Sequence, residues 1–151
     1  MQTFLPYQSF EKSAKVLDNK RLNKQIVECY QILKAITDST YGWQSHPIVK
    51  MWKYYPTSLL IYAFSMYKER KNRTGKEHQS YINMEDYYYS NNLKYVETIS
   101  PVWLGNEKFH DSHKSNLLRK DKSYYSQYFS NIQDNLPYLW YNTNNNTWYS
   151  I

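Results

Sequence analysis

The residues best suited to chemistry fall in two basic segments. In LDNKRLNKQIVE, residues 17–28, the carboxylate of Glu28 follows Arg21 by two helical turns and Lys24 by one, so an acid and two cations share one side of a helix, with Lys20 in the same run. A carboxylate so placed can stabilise developing positive charge or move a proton, while the cations can hold phosphates. The plain alternative is a solvated Glu with charge partners one turn away. The second segment, EKFHDSHKSNLLRKD at 107–121, carries His113, Lys114, Arg119 and Lys120, which suit phosphate or nucleobase contacts. His110 and His113 share a helical face near Asp111, but a metal site needs a third well-placed ligand, so no metal is expected. The chain contains no phosphate-binding glycine motif, nucleophile elbow or HExxH, which leaves nucleotide hydrolase, lipase and zincin readings without support.

The elements that must position these residues read as helices. From Leu22, the apolar residues Ile26, Cys29, Leu33 and Ile36 recur at spacings of four and three, laying one stripe along about five turns. The opposite side carries Arg21, Lys24, Glu28 and Gln31. Pro47 suits a first helical turn, and Pro56 ends or kinks what precedes it. Leu59, Ala63, Met66 and Arg70 mark a further helix, whose end, KERKNRTGK at 68–76, puts cations where the helix dipole favours them or where a phosphate could bind. A short helix is expected near Met84 to Val96 in a Tyr-rich stretch, and a long one from Asn106 to Phe129. Leu136-Pro137-Tyr138-Leu139-Trp140 reads as an aromatic strap packed on the core, and Trp43, Trp52, Trp103 and Trp140 as core residues. With only three glycines and no sustained alternation of period two, the expected fold is all-α, a single compact domain over residues 1–140 followed by a low-complexity polar tail, 141–151.

Composition narrows the partner. The chain of 151 residues has 19 Lys+Arg against 13 Asp+Glu, a formal charge of +6, which favours a polyanion. Eighteen tyrosines interleaved with cations would suit stacking on nucleic acid, although an AT-rich genome would raise Tyr, Asn, Lys and Ile together. Cys29 stands alone, so neither an internal disulfide nor a zinc finger is available. No apolar run reaches the roughly 20 residues needed to span a bilayer, and the first residues lack the basic and apolar regions of a signal peptide. A protein made and kept inside the cell is expected, not a secreted one.

Three segments, LDNKRLNKQIVE at 17–28, YGWQSHPIVKMW at 41–52 and PVWLGNEKFHDSHKSNLLRKD at 101–121, together with the MQTFLPY start and LPYLW near the end, resemble the pyrimidine-dimer DNA glycosylases of the endonuclease V type. The bridging pattern is a Leu followed six residues later by a catalytic Glu, and a His-Pro pair opening the next helix; here these are Leu22, Glu28, His46 and Pro47. The resemblance implies a glycosylase acting on damaged duplex DNA as a monomer without cofactor. It implies an amine attacking C1′ of the sugar to form an imine, so that base removal is followed by strand cleavage, with Glu28 supporting the charge. Lys20, Arg21, Lys24, His46, His113, Lys114, Arg119 and Lys120 are expected to meet the DNA. In the characterised relative the amine is that of a threonine exposed by removal of Met. Here Gln2 follows Met1, and Met is rarely removed before so large a side chain. The amine is then that of Met1, or a lysine such as Lys24 replaces it, or no imine forms. In the last case the chain would be a non-catalytic DNA-binding module for lesion recognition or packaging, and composition alone also allows a Tyr-rich structural or RNA-binding protein.

Overall fold

Local rules account for most of the helix boundaries in the computed structural model, which describes residues 1–96 and 99–151. Helix α1 (Phe10–Val16) starts where the Ser9 hydroxyl accepts the Lys12 N–H at 3.1 Å. The predicted stripe becomes α2 (Asn19–Thr37), burying Leu22, Ile26, Cys29 and Leu33. Helix α3 (Pro47–Trp52) has Pro47 in its first turn and His46 as its cap. Pro56 opens α4 (Pro56–Thr74) instead of ending a helix, and Gly75, at φ 70°, closes α4 in the left-handed conformation that a side chain would strain.

Helix α5 (Gln79–Ser90) lies earlier than the short helix expected near Met84 to Val96, and a 3-10 turn (Leu93–Tyr95) follows it. The long helix expected from Asn106 to Phe129 is two, α6 (Glu107–Lys120) and α7 (Lys122–Phe129). The break is at Asp121, whose extended backbone (φ −155°) lets its carboxylate accept the Tyr124 N–H and start the second helix.

Helices α2 and α4 form the most extensive pairing, with α1, α3 and α5 against them. Trp52, Tyr62, Trp103, Phe109 and Tyr125 fill the core. Trp140 is also buried, but Trp43 is not: 56% of it is exposed.

A departure from the all-α reading lies at the C-terminal end. Strands β1 (Leu139–Asn142) and β2 (Thr147–Ser150) pair antiparallel, Trp140 opposite Tyr149 and Tyr141 opposite Trp148. Residues expected as a polar tail thus carry aromatic side chains back to the core, where Trp148 packs on Phe109. The fold is mostly helical with one small hairpin. No helix among the described residues is long and apolar enough to cross a membrane.

Candidate active site

The first five residues belong to no helix or strand, and they are threaded through the middle of the fold. Buried backbone groups need partners, and side chains from three helices supply them, while a fourth helix holds the Thr3 hydroxyl. From α2, Glu28 Oε2 accepts the Gln2 N–H at 3.0 Å and Gln25 Oε1 accepts the Phe4 N–H at 2.7 Å. From α4, the Tyr62 hydroxyl donates to Phe4 O at 2.8 Å. From α6, His113 Nδ1 accepts the Leu5 N–H at 2.9 Å and His110 Nδ1–H donates to Leu5 O at 2.8 Å. From α3, the Trp52 indole N–H donates to the Thr3 hydroxyl at 2.9 Å. Gln2 folds its own carboxamide back, accepting the Thr3 N–H and donating to the Tyr138 hydroxyl.

This threading delivers the α-amine of Met1 into an open cleft of about 360 Å³, a volume suited to a small ligand or a single nucleotide residue. Lys20, Arg21, Lys24 and Glu28 of α2 line one wall, Asn116 and Lys120 of α6 another, and Tyr138 and Trp140 a third. Glu28 is only 7% exposed. Periodicity puts it on the polar side of α2, but the N-terminal segment covers that edge of the helix. One carboxylate oxygen is taken by Gln2 and the other faces Lys24 Nζ at 3.6 Å. Partial burial lowers the Lys120 pKa from its ordinary value, and the nearby charges of Arg21 and Lys24 push it the same way while Glu28 opposes them. Such a collection of cations, with Glu28 among them, can receive a phosphodiester.

His46 meets the amine. Its Nε2 lies 3.4 Å from the Met1 nitrogen, while its Nδ1 accepts the Ile48 N–H at 3.1 Å as the cap of α3. A backbone N–H can only donate, so Nδ1 carries no proton and the ring is neutral with its proton on Nε2. Burial lowers the His46 pKa, as does the charge of the neighbouring amine, against a smaller opposing pull from Glu28. In this tautomer the Nε2 edge of the ring faces the Met1 nitrogen.

Of the residues singled out from sequence, Met1, Lys20, Arg21, Lys24, Glu28 and Lys120 line this cleft, and His46 stands beside it. Three others do not reach it. His113 is 1% exposed and is spent on Leu5, so it holds the N-terminal segment instead of meeting DNA. Lys114 pairs with Asp111 at 3.1 Å beneath the Tyr7 ring. The Arg119 guanidinium ties Asp134 O, Leu136 O and the Ser115 hydroxyl, fixing the approach to the hairpin. A slightly larger hollow of about 430 Å³ between α6, α7 and residues 130–135 lacks this chemistry, its charges Lys122 and Asp134 being paired at 3.0 Å.

Residues missed from sequence include Gln25, Tyr62 and Tyr138. Gln25 had a signal: it lies three residues after Leu22 and four before Cys29, a polar residue within the buried stripe, and such residues are there to satisfy something. The family model described as pyrimidine dimer DNA glycosylase matches residues 1–83, more than half of the chain, a stretch that includes Met1, Glu28 and His46. No curated protein and no solved structure matches the chain.

Proposed function

Because this chain belongs to the pyrimidine dimer DNA glycosylase family, we propose that it is a DNA-damage glycosylase with AP-lyase activity, working through the α-amine of Met1 together with Glu28 of the long helix α2. The observation that carries the reading is that amine, against His46 and one residue before the Gln2 N–H held by Glu28, in a cation-lined cleft. In this reading Lys20, Arg21, Lys24 and Lys120 hold the phosphates flanking a damaged nucleotide, whose C1′ is brought to the Met1 nitrogen. The nitrogen's lone pair forms a bond to C1′ as the bond to the base breaks, and the base leaves with the electron pair and takes up a proton. The Glu28 carboxylate stabilises the positive charge that develops on the sugar. Loss of the amine's proton and opening of the sugar ring give an imine, from which removal of a C2′ proton expels the 3′ phosphate and cleaves the strand. His46, beside the amine, orients it toward C1′.

The test is reduction with borohydride in the presence of duplex DNA containing an abasic site. A covalent adduct is expected, and peptide mapping should place it on the amine of a retained Met1. An adduct on Lys24 or Lys120 would move the chemistry to a side chain. Failure to form any adduct would leave the non-catalytic DNA-binding module as the better account.

A further inference from the structure

Trp43 departs from every sequence-based expectation for it. Among the described residues the non-glycine positions at positive φ are Trp43, Asn92 and Asn146. Asparagine visits this region readily, whereas tryptophan at φ 73° is strained, and such strain persists where the surroundings over-determine it and clusters at functional sites. The surroundings do so here. The Gln44 carboxamide donates to Ala35 O, Asp38 O and Tyr41 O at 2.7, 2.9 and 3.0 Å, fastening the loop to the end of α2. The His46 N–H donates to Trp43 O at 3.0 Å, fastening the other side to the cap of α3. The loop is therefore well tied, and what it presents to solvent is an indole ring.

That ring is also next to the chemistry. Its centroid lies 6.0 Å from that of His46 at an interplanar angle of 72°, and His46 in turn touches the Met1 amine and lies 6.3 Å from Trp140. Holding a tryptophan exposed in a strained backbone beside the amine does nothing for the core. An indole face offers what a displaced base loses on leaving the helix, a stacking partner, and one such contact with single-stranded nucleic acid is a substantial part of binding.

We propose that Trp43 is a substrate-contacting residue that stacks on an unpaired base at the mouth of the amine cleft and so supports the extruded state of duplex DNA. The proposal rests on the reading of this cleft as a glycosylase site, and its test is a binding measurement that requires no chemistry. The probes are an intact duplex and the same duplex with one tetrahydrofuran abasic analogue, which leaves a base unpaired. The wild type should prefer the analogue duplex. Trp43→Ala and Trp43→Gly should lose about tenfold of affinity for it, with affinity for the intact duplex nearly unchanged, while Trp43→Phe keeps most of the preference. Trp43→Gly should melt no lower than the wild type, because glycine relieves the strained φ. Ala and Gly variants that keep the wild-type preference would overturn the proposal, as would a wild type with no preference for the analogue. So would a drop in Tm for Trp43→Gly as large as that of a core substitution, which would make the residue structural. Borohydride trapping on an abasic duplex fails or succeeds independently, so failure of the amine reading is separable from failure of the stacking contact.

Discussion

Acid should loosen the N-terminal segment through His113, and the loss can be worked out. Burial holds the His113 imidazole well below the usual range, down to about 3, with a smaller contribution from His110. The folded protein then carries this ring neutral at every pH where it stays folded, while the unfolded chain binds a proton below about 6.5. A depressed folded value means stability that is present above the unfolded pKa and lost as pH falls toward the folded one. Between pH 7 and pH 5 the free-energy difference from this ring alone is about 2 kcal/mol. For a domain whose total is roughly 5–15 kcal/mol, that is a large fraction, equivalent to about 1 M in the urea midpoint. The carboxylates held below their ordinary range, such as Asp18 and Asp134, act below about pH 4 and do not intrude. His46, His78 and His110 are also lowered by burial and add to the fall, so the comparison must be with a variant. His113→Asn keeps an oxygen able to accept the Leu5 N–H but cannot titrate. Urea melts at both pH values should show the wild type losing about 2 kcal/mol more than His113→Asn. Equal losses, or an NMR titration in which all four imidazoles protonate near pH 6, would refute the buried neutral clamp.

Two further outcomes test the cleft itself. Replacing Glu28 by Gln keeps an acceptor for the Gln2 N–H but removes the charge, so base release should fall by roughly 100-fold or more while affinity for damaged DNA holds or improves; unchanged release in single-turnover assays would take the central role from Glu28. Lys24 extends along the cleft with 68% of its side chain exposed, so Lys24→Ala should weaken duplex binding and flatten the dependence of log affinity on log salt by about one contact's worth; an unaltered slope in fluorescence titrations would remove it from the phosphate path.

The helices were readable because their burial is periodic: the stripe from Leu22 to Ile36 is a local property that survives any tertiary arrangement. The cleft was readable where it rides on such a stripe, at Arg21, Lys24 and Glu28. What periodicity could not give is which strand of backbone would lie across α2. Gln25 and His113 look like polar residues on helices until Phe4 and Leu5, 21 and 108 positions away in sequence, arrive beside them. The hairpin escaped because each strand is four residues long, too short for alternation to register, and its pairing is set by the aromatic contacts of Tyr141 and Trp148. Trp43 escaped because composition ranks tryptophan as core, and only the tied loop turns it outward.

The N-terminal segment also sets an order of events during synthesis. Its first partners, Gln25 and Glu28, leave the ribosome soon after it, but His110 and His113 lie more than 100 residues further along. At about 5–20 residues per second, the segment waits roughly 5–20 s before α6 exists to close over it. Until then Leu5 lacks the partners that His110 and His113 give it in the folded chain. Once α6 docks, the backbone groups of residues 2–5 are taken up inside the fold. For the Met1 amine proposed above as the nucleophile, processing is therefore expected to act before α6, encoded about two thirds of the way along the message, is translated.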